Sequence, residues 1–542
     1  MSSLEAIDWV VIGLYFCIVF AAAFRAAQQE GTGGKSSAGY FLAGRNAGWF
    51  LIGASLFASN IGSEHLVGLA GTGAASGVAV AQFEILASLI LLLLGWFFVP
   101  FYLASGVFTM PEFLERRYSP AARWYLAVIS IAGYVLTKIS VTIAAGGIVF
   151  ESLMGIDFWT GALVVVLVTG VYTVVGGLRA VLYTDMVQMF VLIAGAMTVT
   201  LVGLAEIGGW DALHEIAGNG FFNLWRPLSD PDFPWTGILF GAPILGVWYW
   251  CTDQFIVQRV LSAANVDQAR RGSIFAGYLK VLPLFIFVLP GVIAYALAKK
   301  QQIVLDQADQ ALPALVGALL PAGLKGLVVA GLLAALMSSL SSVFNSCSTL
   351  ITWDIYRKFR PNAPETQLVA VGRIATLALV VLGLAWMPMM KFISAQLYQY
   401  LQSVQAYISP PIAAVFLLGI LCKRVNAQGA VAALGTGFVL GIARLIAELN
   451  KETISGWVSW YAEINFLHFA ILLFAVCTLV LIMVSIITPA PAQRQITGLT
   501  TGTLRVPDYA AAPMNSGWRR KDILASTGLV CCVAAVWVYF RG

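Results

Sequence analysis

Three polar residues stand together inside an apolar segment near the start of the chain. Asn60, Glu64 and His65 lie within residues 53–73, GASLFASNIGSEHLVGLAGTG. A charged side chain at the centre of a membrane helix costs at least ~2.5–3.5 kcal/mol, so it usually faces a cavity or a pathway. Gly62 is a position where the helix can unwind, and broken helices near the bilayer midplane form many transporter sites. The alternative is that these side chains only hydrogen-bond between helices.

Other intramembrane ionisable residues need partners of their own. Glu84 stands alone in the apolar sequence FEILASLILLLLGW, and Lys280 in GYLKVLP is one candidate partner for it. Lys138 in YVLTKIS is assigned no role, and a structural pairing is the simplest explanation for it. These residues again indicate a polar interior in a membrane protein.

An aromatic cluster follows much later in the chain. Tyr249 and Trp250 in ILGVWYWCTDQ offer ring faces of the kind that suit the C–H surfaces of sugar rings. The alternative is an aromatic belt at the membrane interface. Asp253 and Gln254 in the same run argue modestly against a belt.

A run of serines is suited to binding a hard cation. Ser338, Ser341 and Ser342 have the spacing i, i+3, i+4 and therefore share one helix face, and Ser339 lies four residues after Ala335. Sodium prefers oxygen ligands, as calcium does. Carbonyl groups freed by a helix break, together with the carboxylate of Asp185, would complete such a site. Serine also commonly packs and hydrogen-bonds between membrane helices, so the run alone does not distinguish an ion site from a helix contact.

Composition restricts the class of protein. Of 542 residues, 60% are hydrophobic and 11% are charged, against roughly 25% charged in soluble domains. The basic residues are spread over short loops rather than one face, which argues against nucleic-acid binding. The chain has no HExxH, GxSxG or paired-carboxylate pattern, so nothing supports an enzyme. The sequence therefore predicts a polytopic protein of the lipid bilayer.

Windows of about 20 apolar residues predict an all-α protein with fourteen transmembrane helices. They begin at Ile7, Gly48, Val78, Ala121, Phe158, Val181, Trp235, Gly272, Pro321, Leu368, Leu397, Gly429, Phe466 and Ile523. One set of alternate loops contains twenty Lys and Arg residues, and the other set contains eight. Arg259 is assigned to a loop of the first set. The positive-inside rule then places both termini outside.

Two short, similar motifs indicate an inverted repeat. GASL at 53–56 and GAPIL at 241–245 open helices that are five apart, and an odd repeat length inverts the topology. We expect one transmembrane domain over 1–542. Its inverted repeats would cover about 48–207 and 235–422, with flanking helices at 7–24, 429–447, 466–487 and 523–540.

From residue 53 to 77 the chain closely resembles the sodium/glucose cotransporter family, within the sodium:solute symporters. The likeness continues through FTMPEFLERRY (108–118), GGLRAVLYTD (176–185), VWYWCTDQFIVQRVLSA (247–263), GYLKVLP (277–283), SSLSSVFNSCSTLITWDIY (338–356) and SPPIAAVFLLGILCKRVNAQGA (409–430). The resemblance implies a LeuT-type inverted five-plus-five helix repeat.

The resemblance also implies site residues. It assigns the sugar contacts to Asn60, His65, Phe83, Glu84, Tyr249, Trp250, Lys280 and Gln402. It assigns a main sodium site to the carbonyl groups of Ala58, Ile61 and Ala335 and the hydroxyl groups of Ser338 and Ser339. A second sodium site would use Asp185, Ser338, Ser341 and Ser342. Gly246 and Gln405 differ from the polar residues of hexose-recognising relatives; Gln405 is kept among the substrate contacts.

The function implied is symport of a neutral sugar, such as glucose or galactose, with sodium ions across the plasma (inner) membrane. Sodium/myo-inositol symport and a sugar-gated channel or sensor with weak coupling are the alternatives. Symport of a carboxylate or amino acid is disfavoured because Glu84 in the pocket would repel an anion. Ser341 and Asp185 together predict two sodium ions per substrate.

Overall fold

The computed structural model describes residues 4–29, 36–386, 397–450, 455–504 and 516–541, and over these residues it contains helices and no β-strand. The α-helices are α1 Ala6–Gln29, α2 Ser37–Leu42, α3 Trp49–Asn60, α4 Ser63–Ser76, α5 Gln82–Leu93, α6 Val99–Ser105, α7 Met110–Arg117, α8 Pro120–Gly133, α9 Ser140–Val149, α10 Phe158–Ile207, α11 Trp210–Ala217, α12 Ala242–Gly246, α13 Gln254–Leu261, α14 Val266–Leu279, α15 Leu289–Lys299, α16 Ala311–Leu319, α17 Leu324–Leu350, α18 Arg357–Phe359, α19 Glu365–Trp386, α20 Leu397–Leu421, α21 Ala427–Leu449, α22 Trp457–Glu463, α23 Phe466–Ile487 and α24 Ser516–Tyr539.

Shorter helical segments join several of these helices. Those with the wider π-helical turn are Leu94–Phe98, Tyr134–Ile139, Phe150–Met154, Gly237–Gly241, Val247–Thr252, Leu284–Val288 and Ile351–Tyr356. Those with the tighter 3₁₀ turn are Ala43–Arg45, Gly77–Ala81, Asn219–Phe222, Ala308–Gln310 and Gln493–Gln495.

The protein is all-helical, and eleven helices of its described part are long and apolar enough to cross a membrane. Two further apolar helices, Trp49–Asn60 and Gly237–Thr252, are shorter. The predicted count of fourteen is therefore not confirmed by length alone. The difference arises because two predicted segments are short, broken helices, and because two others follow each other without a loop in α10, on either side of a kink.

Two helix breaks lie where α3 meets α4 and where the Val247–Thr252 segment meets α13. Ile61 (φ −81°, ψ 95°) and Gly62 (φ −92°, ψ 177°) are extended rather than helical. Asp253 is also extended (φ −77°, ψ 128°), and its side chain caps α13 by accepting a hydrogen bond from the amide of Phe255. Extended residues release the carbonyl groups of the preceding turn from helical hydrogen bonding. Each break therefore exposes polar backbone inside the protein.

Helix α10 consists of two helical segments that meet at a kink. Gly177 has φ 51° and ψ −154°, and a Cβ atom added there would lie 2.5 Å from the carbonyl oxygen of Tyr40. Only glycine tolerates both the positive φ and this close approach of a neighbouring backbone. The kink at Gly177 thus divides the 50 residues of α10 into two helical segments, which correspond to the two predicted helices beginning at Phe158 and Val181.

Candidate functional site

A cavity lies between the broken helices and α5. Eight of the nine predicted sugar contacts line it: Asn60, His65, Phe83, Glu84, Tyr249, Trp250, Gln402 and Gln405. Gly246 and Lys138 also line it. The ninth, Lys280, does not line the cavity; it is fully buried behind it.

Lys280 forms the predicted pair with Glu84. Its ammonium group donates hydrogen bonds to the Glu84 carboxylate and to the Asn60 side-chain oxygen. The amide nitrogen of Asn60 in turn donates to the Tyr249 hydroxyl at 2.9 Å. A buried charge must be paired to be tolerated, so the lysine and the carboxylate hold each other in place. One chain of hydrogen bonds thereby fixes four of the predicted residues.

His65 meets the same carboxylate from the other helix of the break. Its Nδ1 accepts a hydrogen bond from the amide of Gly62 at 3.3 Å, and its Nε2 lies 3.8 Å from the second Glu84 oxygen. The ring is therefore oriented by the break itself, with Nε2 turned towards the cavity. Glu64 begins the same helix, but its side chain lies outside the described part of the structure.

The aromatic cluster forms one wall of the cavity and is buried, not a surface belt. Tyr249 and Trp250 are 9% and 4% exposed, with ring centroids 5.1 Å apart. The ammonium of Lys138 lies 4.0 Å from the centroid of Tyr249 and 3.7 Å from that of Phe255. Such distances are typical of cation–π contacts. Sequence reasoning gave Lys138 no role, although an intramembrane lysine is by default a functional candidate.

The break after Asn60 frees two of the predicted sodium-binding carbonyl groups. In a continuous helix the amide of Gly62 would bond to Ala58 and that of His65 to Ile61. Instead Gly62 donates to the Asn60 carbonyl at 3.1 Å, and His65 donates to Gly62 at 3.0 Å. Both freed oxygens lie at the end of α3, next to α17.

The serines of α17 face this break. The hydroxyl of Ser339 lies 3.3 Å from the carbonyl oxygen of Ser59, and Ser338 donates to Asp185 at 2.6 Å. Ser341 donates to the carbonyl oxygen of Ser338 at 3.0 Å. Ala335 is one turn before Ser339 on the same helix. The predicted ligands of both ion sites therefore come together between α3, α10 and α17.

Arg259 lies where the sequence interpretation did not place it. It was counted among loop residues, but it lies in α13 and is fully buried. Its guanidinium donates to the Ser55 hydroxyl at 3.1 Å and also to the Ser342 hydroxyl, and it lies 3.7 Å from Asp185. The reason is the break at Asp253, which turns α13 into the protein interior. A basic residue six positions after an acidic one inside an apolar motif was the available signal.

A second ionic cluster lies at the arginine-rich ends of the helices. Arg123 bonds to Asp354 at 2.7 Å and to Glu115 at 2.5 Å, and Lys358 bonds to Glu115 at 2.6 Å. Burial by itself raises the pKa of Glu115, but the hydrogen bonds from Lys358 and Arg123 outweigh it and bring this pKa below its usual value. Thr109 donates to the same Asp354 oxygen at 2.9 Å. The cluster therefore joins α7 and α8 to the end of α17.

Comparison with known proteins relates the chain to sodium-coupled carriers. The model of the sodium:solute symporter family matches residues 40–437. The chain is 41% identical over 532 residues to sodium/glucose cotransporter 1 of Mus musculus, covering 90% of this chain and 79% of that protein. It is 40% identical over 542 residues to sodium/myo-inositol cotransporter 2 of Oryctolagus cuniculus, covering 93% and 80%.

A solved structure shares the fold. A substrate-bound, outward-open Na⁺-coupled sialic acid symporter matches with a TM-score of 0.77 at 21% sequence identity, covering 90% of this chain and 99% of that one. At that identity the likeness shows the architecture alone, and the architecture is that of a LeuT-like transporter, as the sequence resemblance implied.

Proposed function

Because the chain belongs to the sodium:solute symporter family, we propose that it imports a neutral hexose such as glucose or galactose together with sodium by alternating access. Membership makes the protein a multi-pass membrane transporter that uses sodium ions. The sugar, the plasma membrane and the identity of the site residues are part of the proposal.

The hydrogen-bonded chain from Lys280 to Tyr249 carries the sugar assignment. Glu84 presents acceptors and Asn60 an amide at a cavity wall, while Trp250 supplies a ring face. Sugars combine hydroxyl groups with C–H faces, so they match alternating polar and aromatic walls. The charge of Glu84 is balanced by Lys280, which suits a neutral substrate better than an anionic one.

The oxygens at the helix break fit a sodium ion. Ala58 and Ile61 would supply freed carbonyl groups, Ser339 a hydroxyl already beside the break, and Ser338 and Ala335 the remaining oxygens. Bound sodium would supply positive charge that holds the two halves of the broken helix against α17. An all-oxygen set of this kind is what a hard cation prefers.

The finer architecture belongs to the same proposal. Fourteen helices in a single domain over 1–542, with repeats at about 48–207 and 235–422, are supported by the two breaks, one near the start of each repeat. Corresponding broken helices in two halves are typical of inverted-repeat carriers. The excess of basic residues in alternate loops supports termini outside.

A panel of substrates tests the function. We expect purified protein in proteoliposomes to accumulate one or more labelled hexoses only with an inward sodium gradient. A preference for myo-inositol would favour the alternative of sodium/myo-inositol symport. The 40% identity of the chain to a sodium/myo-inositol cotransporter is the reason to include this substrate. Sugar movement without accumulation or counterflow would favour the channel or sensor. A lack of sodium dependence would refute the proposal.

The number of sodium ions can be measured by reversal potentials in the same vesicles. One ion entering down ~100 mV gains ~2.3 kcal/mol, and a tenfold gradient adds ~1.4 kcal/mol. One ion therefore supports a sugar gradient of several hundredfold, and two support one on the order of 10⁵. We expect two for the wild type and one for Ser341→Ala combined with Asp185→Asn. A wild-type ratio of one would remove the second site.

A further inference from the structure

Asp185, the acidic residue of the proposed second sodium site, already faces a cation of the protein itself. Asp185 and Arg259 are both fully buried, and a guanidinium nitrogen lies 3.7 Å from the carboxylate. The contact is longer than a hydrogen bond, and the hydroxyl of Ser55 bridges it, donating to Asp185 and accepting from Arg259. The guanidinium is thus close to the carboxylate without being locked to it.

Arg259 also contacts Ser342, a second proposed ligand of the same sodium ion. One of its nitrogens donates to the hydroxyl of Ser342, so one lone pair of that oxygen is already used. A sodium ion bound by Asp185 and Ser342 would lie within a few ångströms of the guanidinium. At an effective dielectric of ~20, two unit charges ~5 Å apart repel enough to weaken binding by a factor of a few hundred. Sodium and this position of Arg259 are therefore close to mutually exclusive.

The protein offers Arg259 a second carboxylate. Asp253 is buried at the N-terminus of α13, and the guanidinium of Arg259 already reaches towards that end of the helix, where it donates a hydrogen bond to the carbonyl oxygen of Phe255. One of the Asp253 carboxylate oxygens accepts hydrogen bonds from Tyr134 and from the amide of Phe255. The other oxygen has no hydrogen-bond partner among the described residues. A buried carboxylate oxygen without a donor is costly, so it is a favourable destination for the guanidinium.

Building on the proposed sodium symport, we propose that Arg259 is a tethered cation that neutralises Asp185 while the second sodium site is empty. A sodium ion entering that site displaces the guanidinium from Asp185 and Ser342 towards Asp253. Arg259 is in this sense a residue that sets the sodium affinity of the site, since each sodium bound must first displace it.

The exchange is tested by equilibrium binding of ²²Na⁺ to the purified full-length protein without sugar, which separates ion binding from transport. In Arg259→Gln the competing charge is gone, and we expect the second class of sodium sites to bind at least tenfold more tightly, with the main site unchanged. Adding Asp185→Asn to this variant should remove the second class altogether. In Asp253→Asn the displaced guanidinium loses its destination, and we expect second-site binding to weaken severalfold.

Asp253→Asn also covers the case in which Arg259→Gln does not fold, because asparagine caps a helix as well as aspartate. Its matched control is Asp157→Asn, since Asp157 caps α10 in the same way but is exposed. Unchanged or weaker second-site binding in Arg259→Gln, or unchanged binding in Asp253→Asn, would overturn the exchange while leaving sodium symport intact. A single class of sites in both the wild type and Arg259→Gln would also overturn it. No sodium binding by any form would refute the proposed function itself.

Discussion

Replacing Glu84 by glutamine is expected to destabilise the protein and to weaken substrate binding for two separable reasons. Lys280 is fully buried, and its ammonium group is held by Glu84 and Asn60. Glutamine keeps the shape but removes the balancing charge. Breaking a buried ion pair by removing one partner typically costs ~3–5 kcal/mol, because the other charge is left unpaired.

The double variant separates the ion pair from the sugar contact. Combining Glu84→Gln with Lys280→Met removes both charges, so we expect ~2–4 kcal/mol of the loss in unfolding free energy to be recovered. Substrate affinity should not recover, because the carboxylate proposed to accept hydrogen bonds from sugar hydroxyls is still missing. A lost buried hydrogen bond of ~1–3 kcal/mol corresponds to binding that is about 5- to 150-fold weaker.

Both quantities can be measured on purified protein. The unfolding free energy is obtained by titration with SDS in mixed micelles, and substrate affinity by binding of labelled sugar at saturating sodium. Glu151→Gln is the matched control, since Glu151 is exposed, and it should change the unfolding free energy by less than ~0.5 kcal/mol. Single-variant losses that simply add in the double variant, or normal sugar binding by Glu84→Gln, would refute the reasoning.

Three further outcomes are expected. Ser339→Ala should abolish sodium-driven uptake at low sodium, because it removes a hydroxyl beside the helix break. Ser88→Ala should not, because the buried Ser88 hydroxyl has no hydrogen-bond partner in the described part of the chain. Equal uptake by both variants would contradict the proposed main ion site. The lowered pKa of Glu115 implies stabilisation that is complete above its usual value of 4.5 and is lost as pH falls through the lowered one. SDS titrations at several pH values should therefore show a smaller acid-induced loss in Glu115→Gln than in the wild type, and identical losses would contradict this. Gly177→Ala should cost ~1–3 kcal/mol of unfolding free energy through strain and overlap, while Gly133→Ala, with open space around it, should be neutral or stabilising; equal effects would show that the kink is not strained.

The residues that line the cavity could be predicted to lie together because they sit in short, distinctive motifs. Asn60, His65 and Glu84 are polar residues in strongly apolar surroundings, and a polar group there must face a partner or a cavity. The pair between Glu84 and Lys280 could be guessed for the same reason, and the structure confirms it. The sequence does not give the distance of each residue from the cavity. Lys280 does not line the cavity but lies behind the residues that do.

The residues that were missed depend on tertiary context. Lys138 finds its ring partners more than 100 residues away, at Tyr249 and Phe255, and no local pattern encodes that pairing. Arg259 stands near the end of an apolar run, where a basic residue ordinarily marks a loop. Only the extended backbone at Asp253, which redirects α13, buries it. Hydropathy averaged over a window does not report backbone conformation, so it cannot detect such a break.

Helix α17 makes polar contacts with neighbouring helices that we expect alternating access to break. Along this helix, Ser339 contacts α3, Ser342 contacts Arg259, and Ser346 contacts Gln258. In the segment Ile351–Tyr356, which continues α17, Asp354 contacts Arg123. At 1.5 Å per residue these four levels cover roughly 22 Å between the cavity and the arginine-rich helix ends. The first level reaches α3, the second and third both reach α13, and the fourth reaches α8. All of them use buried polar groups, which are costly to leave unpaired. We expect opening towards the arginine-rich side to separate these levels. Ions at the two proposed sodium sites would bind at the first two of these levels, so we expect sodium occupancy and opening on that side to be coupled through the same side chains.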